Sequence, residues 1–379
     1  MDAMQSYYEK AFTANESGNI YQPFSLLERL SHERKTLLLN AMKLPSLAKA
    51  TVVDYGVGSW GFGCVFPRLK KCRHAIGIDI SERAVEISRE LSAKDTALRE
   101  SMVEYRVSSG YSLPLEDESV DVFFAGECIE HIDDTEAFLA EVHRVLKPEG
   151  IAIFTTPNAR PYVYRQLGLR WCVGFEHTAL MDHAELKERL EAFFQIECFL
   201  GFNQSMHPAL DGALDETTAR EWVNAGESDA VNATGLIVSV RKTDKRRHPR
   251  ADVVPVESAD ASIASPGTRR VEVAPGYEAT LLEANQSLIF TSPPGATRCS
   301  LILWSHPWSG NARIEVAQRS TDMSLYSHLG GCFRITLPCN GNERISISAL
   351  SERDARSQGT EVIVLRAVFA CEPAQSAAH

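Results

Sequence analysis

The stretch Thr51–Phe66, TVVDYGVGSWGFGCVF, decides how the first half of the chain folds. A short apolar run ends at Asp54 and opens at once into closely spaced glycines. Val52 and Val53 are β-branched and suit a buried strand, whereas Gly56, Gly58 and Gly61 permit a sharp turn and a close approach to a ligand. The spacing predicts strand, tight turn and helix start, with the free amides of the first helical turn facing that ligand.

Two cofactor classes fit this geometry. Gly56, Gly58 and Gly61 reproduce the G-x-G-x-x-G dinucleotide spacing, and Asp79, which closes a second apolar run (HAIGID), stands where a ribose-binding carboxylate belongs. Asp54 separates the two classes. Lying two residues before the first glycine, it favours a ligand that carries a positive charge and repels a pyrophosphate. The pattern D-x-G-x-G resembles the nucleotide-binding turn of class I S-adenosylmethionine-dependent methyltransferases. The alternatives are a dinucleotide-binding protein that transfers no methyl group and a glycine-rich loop that holds no ligand.

Downstream, strand and helix signals alternate, as in a parallel sheet covered on both faces. VEYRVSS, VDVFFAGE and GIAIFTTPN read as strands, with SERAVEISREL and TEAFLAEVHRVL as helices, the first capped by Ser81. The segments LPLEDESVD, Glu130-His131, RVLKPEG and TPN follow in the order found in class I methyltransferases, and the resemblance covers Leu113 to Asn158. A capped helix from Asp182 (DHAELKERLEAFF) and the strands QIECFLGF and ATGLIVSVRK complete the pattern. The resemblance implies an α/β, Rossmann-like seven-stranded methyltransferase sheet whose last strand lies antiparallel between its neighbours. It also implies S-adenosylmethionine as cofactor. Asp54, Gly56 and Gly58 would form the turn, Asp79 with Ile80 beside it would hold the ribose, Ser109 and Gly110 would meet the adenine, and Glu127 would border the methionine part. Two departures stand out: the acid common at the adenine position is missing, and Trp60 occupies the place of a third glycine.

The segment AGECIEHIDD supplies the candidate chemistry. Glu127, Glu130 and His131 at i, i+3 and i+4 would share one face of a helical turn, which suits a hard ion. The spacing E-x-x-E-H is similar to a metal-binding motif of ubiquinone-biosynthesis O-methyltransferases and small-RNA 2′-O-methyltransferases. There a divalent cation such as Mg2+ polarises the attacking hydroxyl, and the position of His177 (GFEHTALMDH) corresponds to a further ligand. The metal-free reading stands beside it: Glu130 and His131 orient the loop, and His131 or His177 acts as general base. Asp133 and Asp134 read as caps of the following helix.

Bulk composition narrows the classes further. The chain has 379 residues, 44% of them hydrophobic and 23% charged, enough for two cored domains. A net charge of -11 argues against general nucleic-acid affinity. No apolar run reaches membrane-spanning length, and MDAMQSYYEK lacks the features of a secretory signal, so the cytoplasm is the expected compartment. Nine cysteines without a C-x-x-C pair point to reduced, mostly buried thiols.

Four regions are expected. Residues 1–48 form a helical cap, with Tyr7, Tyr8 and Tyr21 as cleft-lining or core rings; 49–243 form the methyltransferase domain; 244–268, charged and then rich in Ala, Ser and Pro, form a linker; and 269–373 form an all-β sandwich. Eight β-branched runs separated by PG, PPGA, SGN, GG and NGN carry the last of these. An insertion of about thirty residues after QIECFLGF reads as a substrate lid or a surface elaboration. Trp304, Trp308 and Tyr326 lie in or near sandwich loops, as a sugar-binding surface requires. The expected acceptor is therefore a hydroxyl of a sugar, glycan or related metabolite, with a small aromatic, a quinone or an RNA end as the alternative. The oligomeric state is open, a dimer included.

Overall fold

The computed structural model of the chain describes residues 3–14, 26–58, 71–94, 102–171, 174–204, 215–225, 229–243 and 248–373. Trp60, Gly61, Tyr21 and much of the insertion before residue 215 lie outside these segments. Two helices, α1 (Ala3–Ala14) and α2 (Leu26–Ala41), precede the first sheet.

That sheet comprises β1 (Thr51–Tyr55), β2 (His74–Asp79), β3 (Met102–Val107), β4 (Val120–Gly126), β5 (Leu146–Pro157), β6 (Gln195–Gln204) and β7 (Ala233–Arg241). Its order is β3-β2-β1-β4-β5-β7-β6. β1 to β5 pair in parallel, and β7 lies antiparallel between β5 and β6. This is the seven-stranded methyltransferase arrangement anticipated from the sequence. Alternate side chains build two cores: Val53, Tyr55, Phe123 and Phe154 on one face, Val52, Val122, Phe124 and Ile153 on the other.

Helices α3 (Glu82–Ser92), α4 (Thr135–Val145), α5 (Tyr162–Gln166), α6 (His183–Glu191) and α7 (Glu216–Ala225) flank the sheet. Ser81 caps α3 by accepting from the Ala84 amide, and Asp182 with Glu185 forms a capping box on α6. Val223 and Ala219 of α7 pack against Leu30 of α2.

The second half is all β. β8 (Asp252–Glu257), β9 (Ile263–Ala264), β10 (Arg269–Ala274), β11 (Tyr277–Leu282), β12 (Ser287–Thr291), β13 (Ala296–Ser305), β14 (Asn311–Val316), β15 (Arg319–Ser324), β16 (Gly331–Pro338), β17 (Arg344–Ala349) and β18 (Val362–Cys371) form two sheets. One runs β10-β11-β18-β13-β16 with β8 added on β18; the other runs β15-β14-β17-β12-β9. Leu301, Val364 and Phe369 from the first meet Phe290, Ile314 and Ile347 from the second in one core, a sandwich.

Two strands fall within the segment read as a linker. Val254 and Val256 give β8 enough apolar character to pair with β18, and Pro255 sits opposite Val368 without a donor to contribute. β15 also lacks a sequence signal, because it is a largely exposed edge strand with polar side chains.

The outer face of the six-stranded sheet does not face solvent. Leu281, Ile302, Leu365 and Val368 cluster there with Met4 of α1 and Phe175. All ten residues of β18 are buried, as expected for a strand covered on both faces. Among the described residues, no helix is long and apolar enough to cross a membrane.

Candidate active site

The cofactor candidates gather at the carboxyl ends of β1, β2 and β3, where α/β sheets hold their ligands. Asp54 and Asp79 are buried. Gly56 and Gly58 have φ of 75° and 55°, conformations that side chains resist. A Cβ on Gly56 would lie 2.8 Å from Cys128 Sγ, so the turn is pressed against the β4 end. Asp79 accepts from the Gly58 amide at 2.8 Å and the Ser81 amide at 2.9 Å, which ties the turn to the start of α3. Burial pushes its carboxyl up to about 6 despite these donors. Each oxygen keeps a lone pair for a further hydroxyl. Ile80 follows Asp79 directly. Ser109 and Gly110 follow β3, and Gly110 has φ of 84° with the Tyr55 hydroxyl pressed against the place a Cβ would take. Replacing Asp79 with alanine is expected to weaken S-adenosylmethionine binding by about 1–3 kcal/mol. Titration calorimetry on folded protein checks this.

The E-x-x-E-H segment folds differently from the expected helical turn. Glu127 has φ of 49°, and a 3-10 turn, Ile129–His131, follows it. The two carboxylates therefore take different partners. Glu127 accepts from Thr155 Oγ1 at 2.7 Å and Lys35 Nζ at 3.1 Å. Burial raises its carboxyl, but Lys35 and Thr155 outweigh that and hold it below the usual range. Glu130 is buried and accepts from Thr156 Oγ1 at 2.8 Å.

The group that converges is Glu130, His131 and His177, whose ligand atoms all lie within 4.8 Å of one another. Glu127 is not in it, which corrects the Glu127, Glu130 and His131 set expected from spacing. The physical reason is the left-handed backbone at Glu127, which turns its side chain toward Lys35. His131 Nδ1 donates to the Glu176 carbonyl at 3.1 Å, leaving Nε2 as the lone-pair nitrogen, 3.9 Å from Glu130 Oε1.

Burial, then the Glu127 charge, pushes Glu130 up to about 8; burial, then His177, pulls His131 down to about 3. An imidazole so depressed is a weak proton acceptor, and Glu130 is the better matched base near neutral pH. The donor set of one carboxylate and two imidazoles suits a borderline transition-metal ion better than Mg2+, which prefers oxygen.

These shifts predict a pH dependence of stability. The folded chain keeps the Glu130 proton from pH 4.5 up to about 8 while the unfolded chain has lost it, so this contribution falls as pH rises through that window. His131 works in the opposite sense, its contribution falling as pH drops from 6.5 to about 3. With chelator present, unfolding free energy should decline by about 2 kcal/mol between pH 6.5 and 8, at about 1.4 kcal/mol per unit. Glu130→Gln should flatten that decline, and chemical denaturation at a series of pH values measures both.

Aromatic rings surround the two histidines. The His131 and His177 rings are 4.9 Å apart, with Tyr8 at 6.2 Å from His131 and Trp171 at 6.0 Å from His177. Tyr7 packs edge-on to Phe175 at 4.5 Å. Glu9 of the same helix accepts from the Glu82 and Arg83 amides, so α1 reaches from the start of α3 to His131.

Sequence reasoning missed Lys35, Thr155, Thr156 and Cys128 as site residues. Thr155 and Thr156 lie in the TTPN run, where alternation sends them to opposite faces and thus to different glutamates. Asp134 caps α4 by accepting from the Ala137 amide. Asp133 does not cap: its carboxylate accepts from Thr178 and Arg366.

Comparison with known proteins agrees with the fold. Residues 53–154 match a family model described as a methyltransferase domain. A "Probable S-adenosylmethionine-dependent methyltransferase" of Mycolicibacterium smegmatis is 35% identical over 34% of this chain and 46% of its own. Phosphoethanolamine N-methyltransferase 2 of Caenorhabditis elegans is 32% identical over 28% of this chain and 23% of its own. The ubiquinone biosynthesis O-methyltransferase of Paramagnetospirillum magneticum is 31% identical over 33% of this chain and 48% of its own. The chain thus spans less than half the length of each of these relatives. Sheet order, glycine turn and family match agree: the chain carries a class I S-adenosylmethionine-dependent methyltransferase domain.

Proposed function

We propose that the chain transfers a methyl group from S-adenosylmethionine to a hydroxyl of a small metabolite. The observation that carries this reading is the convergence of buried Glu130 with the partly exposed His131 and His177, the residue types that remove a proton from a hydroxyl or hold an ion that does. The sulfonium already makes the methyl group electrophilic, so positioning and proton removal are what the protein must add. Asp54, Gly56, Gly58, Asp79, Ile80, Ser109 and Gly110 hold the nucleoside, and Glu127, fixed by Lys35, borders the methionine part.

A divalent cation on Glu130, His131 and His177 would act as a Lewis acid toward the acceptor oxygen. Without one, Glu130 takes the proton. The rings of Tyr8 and Trp171 beside the two histidines favour a planar phenolic or quinol acceptor over the sugar suggested by the sandwich aromatics. A ubiquinone biosynthesis O-methyltransferase among the relatives supports the same class. Trp308 is half exposed, whereas Tyr326 already carries Arg356 over its ring at 4.8 Å, which leaves less of a sugar platform than the sequence suggests. We divide the chain into a helical segment over the cleft (1–48), the methyltransferase domain (49–243) and a sandwich that begins at β8, and we place its work in the cytoplasm.

Incubating the purified chain with isotopically labelled S-adenosylmethionine and cell extract, with and without chelator, tests the reading. Mass spectrometry should find the label on an oxygen of an aromatic metabolite. Label on nitrogen, or none, would refute it. Transfer unaffected by chelator would remove the metal and leave Glu130 as base.

A further inference from the structure

The sandwich touches the site through the outer face of its six-stranded sheet. Three adjacent strands each contribute an arginine: Arg298 on β13, Arg334 on β16 and Arg366 on β18. Arg334 and Arg366 stand on either side of Ile302 in the ladder. Pairing slips at Leu365, since Ile302 faces Arg366 and Leu303 faces Val364. This bulge sets Arg366 on the outward face, with the cluster that contains Leu365 and Val368.

All three arginines meet the segment that follows His131. Arg366, fully buried, donates from Nε and Nη2 to the two Asp133 oxygens at 2.9 and 2.8 Å, and from Nη1 to the Tyr277 hydroxyl at 2.9 Å. Tyr277 donates in turn to Glu257 at 2.7 Å. Arg334 Nη1 donates to the Asp133 carbonyl at 2.8 Å. Arg298 Nη2 donates to both Asp134 oxygens at 2.7 Å, Nε lies 3.3 Å from Asp134 Oδ2, and Nη1 pairs with Glu136 at 2.7 Å.

The segment that carries His177 is held from the same sheet. Gly174 bridges to Gly331, and Cys332 Sγ donates to the Phe175 carbonyl at 2.8 Å. Thr178 Oγ1 donates to Asp133 at 2.7 Å, and the Ala179 amide to the Glu130 carbonyl at 2.8 Å. The Glu130-His131 turn and the His177 segment are thus tied to each other and, separately, to the sandwich.

We propose that the sandwich is an integral wall of the active site, with Arg366 as the positioning residue that fixes Glu130 and His131 against His177 through Asp133. Bidentate guanidinium-carboxylate pairs set angle as well as distance. Displacing a reacting group by about 1 Å costs on the order of 100-fold in rate. The proposal rests on the reading of Glu130, His131 and His177 as the site.

The test uses the full chain and Arg366→Met, which keeps bulk and removes the fork. Initial rates of label transfer from S-adenosylmethionine into small-molecule extract are measured against S-adenosylmethionine concentration. The maximal rate should fall about 100-fold with half-saturation unchanged. Hydrogen exchange should quicken in residues 127–137 and 174–181, while β3 and β17 keep their rates. An unaltered rate, or exchange that rises evenly along the chain, overturns the proposal. If Arg366→Met does not fold, Arg298→Gln at the partly exposed rim decides. It should slow transfer about tenfold, at the lower end of what outer contacts of a site supply, and a wild-type rate would overturn the proposal. If the unaltered chain transfers nothing, the methyl-transfer reading fails, and the exchange pattern alone judges the role of Arg366.

Discussion

Asp133→Ala is expected to lower the unfolding free energy by about 3–5 kcal/mol, the cost of leaving a buried guanidinium without its partner. Arg366 has no exposure and Asp133 very little, so water cannot take over the lost contacts. Among the described side chains, Arg366 would keep the Tyr277 hydroxyl as its partner, and Thr178 and Arg334 surround the same place. The comparison with Asp133→Leu/Arg366→Met separates pairing from packing. Removing both charges should recover most of the loss, because a buried pair replaced by apolar groups is often neutral. Urea unfolding of the three proteins measures this. A single mutant within about 1 kcal/mol of wild type, the scale of an exposed pair, would show that the pair is not buried as described.

His131→Asn is the second large effect. The asparagine amide can reproduce the Nδ1 donation to the Glu176 carbonyl, so the loop keeps its tether and the variant removes Nε2. Whether Nε2 helps hold an ion or orients the acceptor beside Glu130, methyl transfer should fall about 10²-fold, the cost of losing a positioned group at the reacting centre. Affinity for S-adenosylhomocysteine should hold, since the Asp79 and glycine contacts are untouched. Calorimetry beside the labelled-methyl assay checks both halves. A variant with full transfer would remove His131 from the chemistry.

Local physics was legible in the sequence, and long-range pairing was not. The glycine turn, Ser81 cap and five parallel strands follow from contacts within a few residues, so composition and periodicity exposed them. The place of Asp79 at the end of β2, tied to Gly58, was legible because an acid closing an apolar run marks a strand end. Lys35 was not, because its partner Glu127 is 92 positions away and nothing in an amphipathic helix marks one lysine from another. The convergence of Glu130, His131 and His177 depends on φ at Glu127, and the residues alone predicted a helical turn instead. Arg366 left a trace: a lone charge inside the run VIVLRAVFAC must be paired if the strand is buried. Its partner lies 233 positions away, so the trace did not name it. β8 and β15 escaped notice because a proline interrupts one and polar side chains fill the other.

The covered outer face of the six-stranded sheet bears on how the gene can be divided. A truncation ending where composition shifts, near residue 243, would lay bare Met4 and Phe175 and strand two aspartates that sit beside cations. Such a fragment should aggregate, however intact its nucleotide turn. Expression trials, fusion partners and searches for shorter orthologues should therefore treat the polypeptide through Cys371 as indivisible.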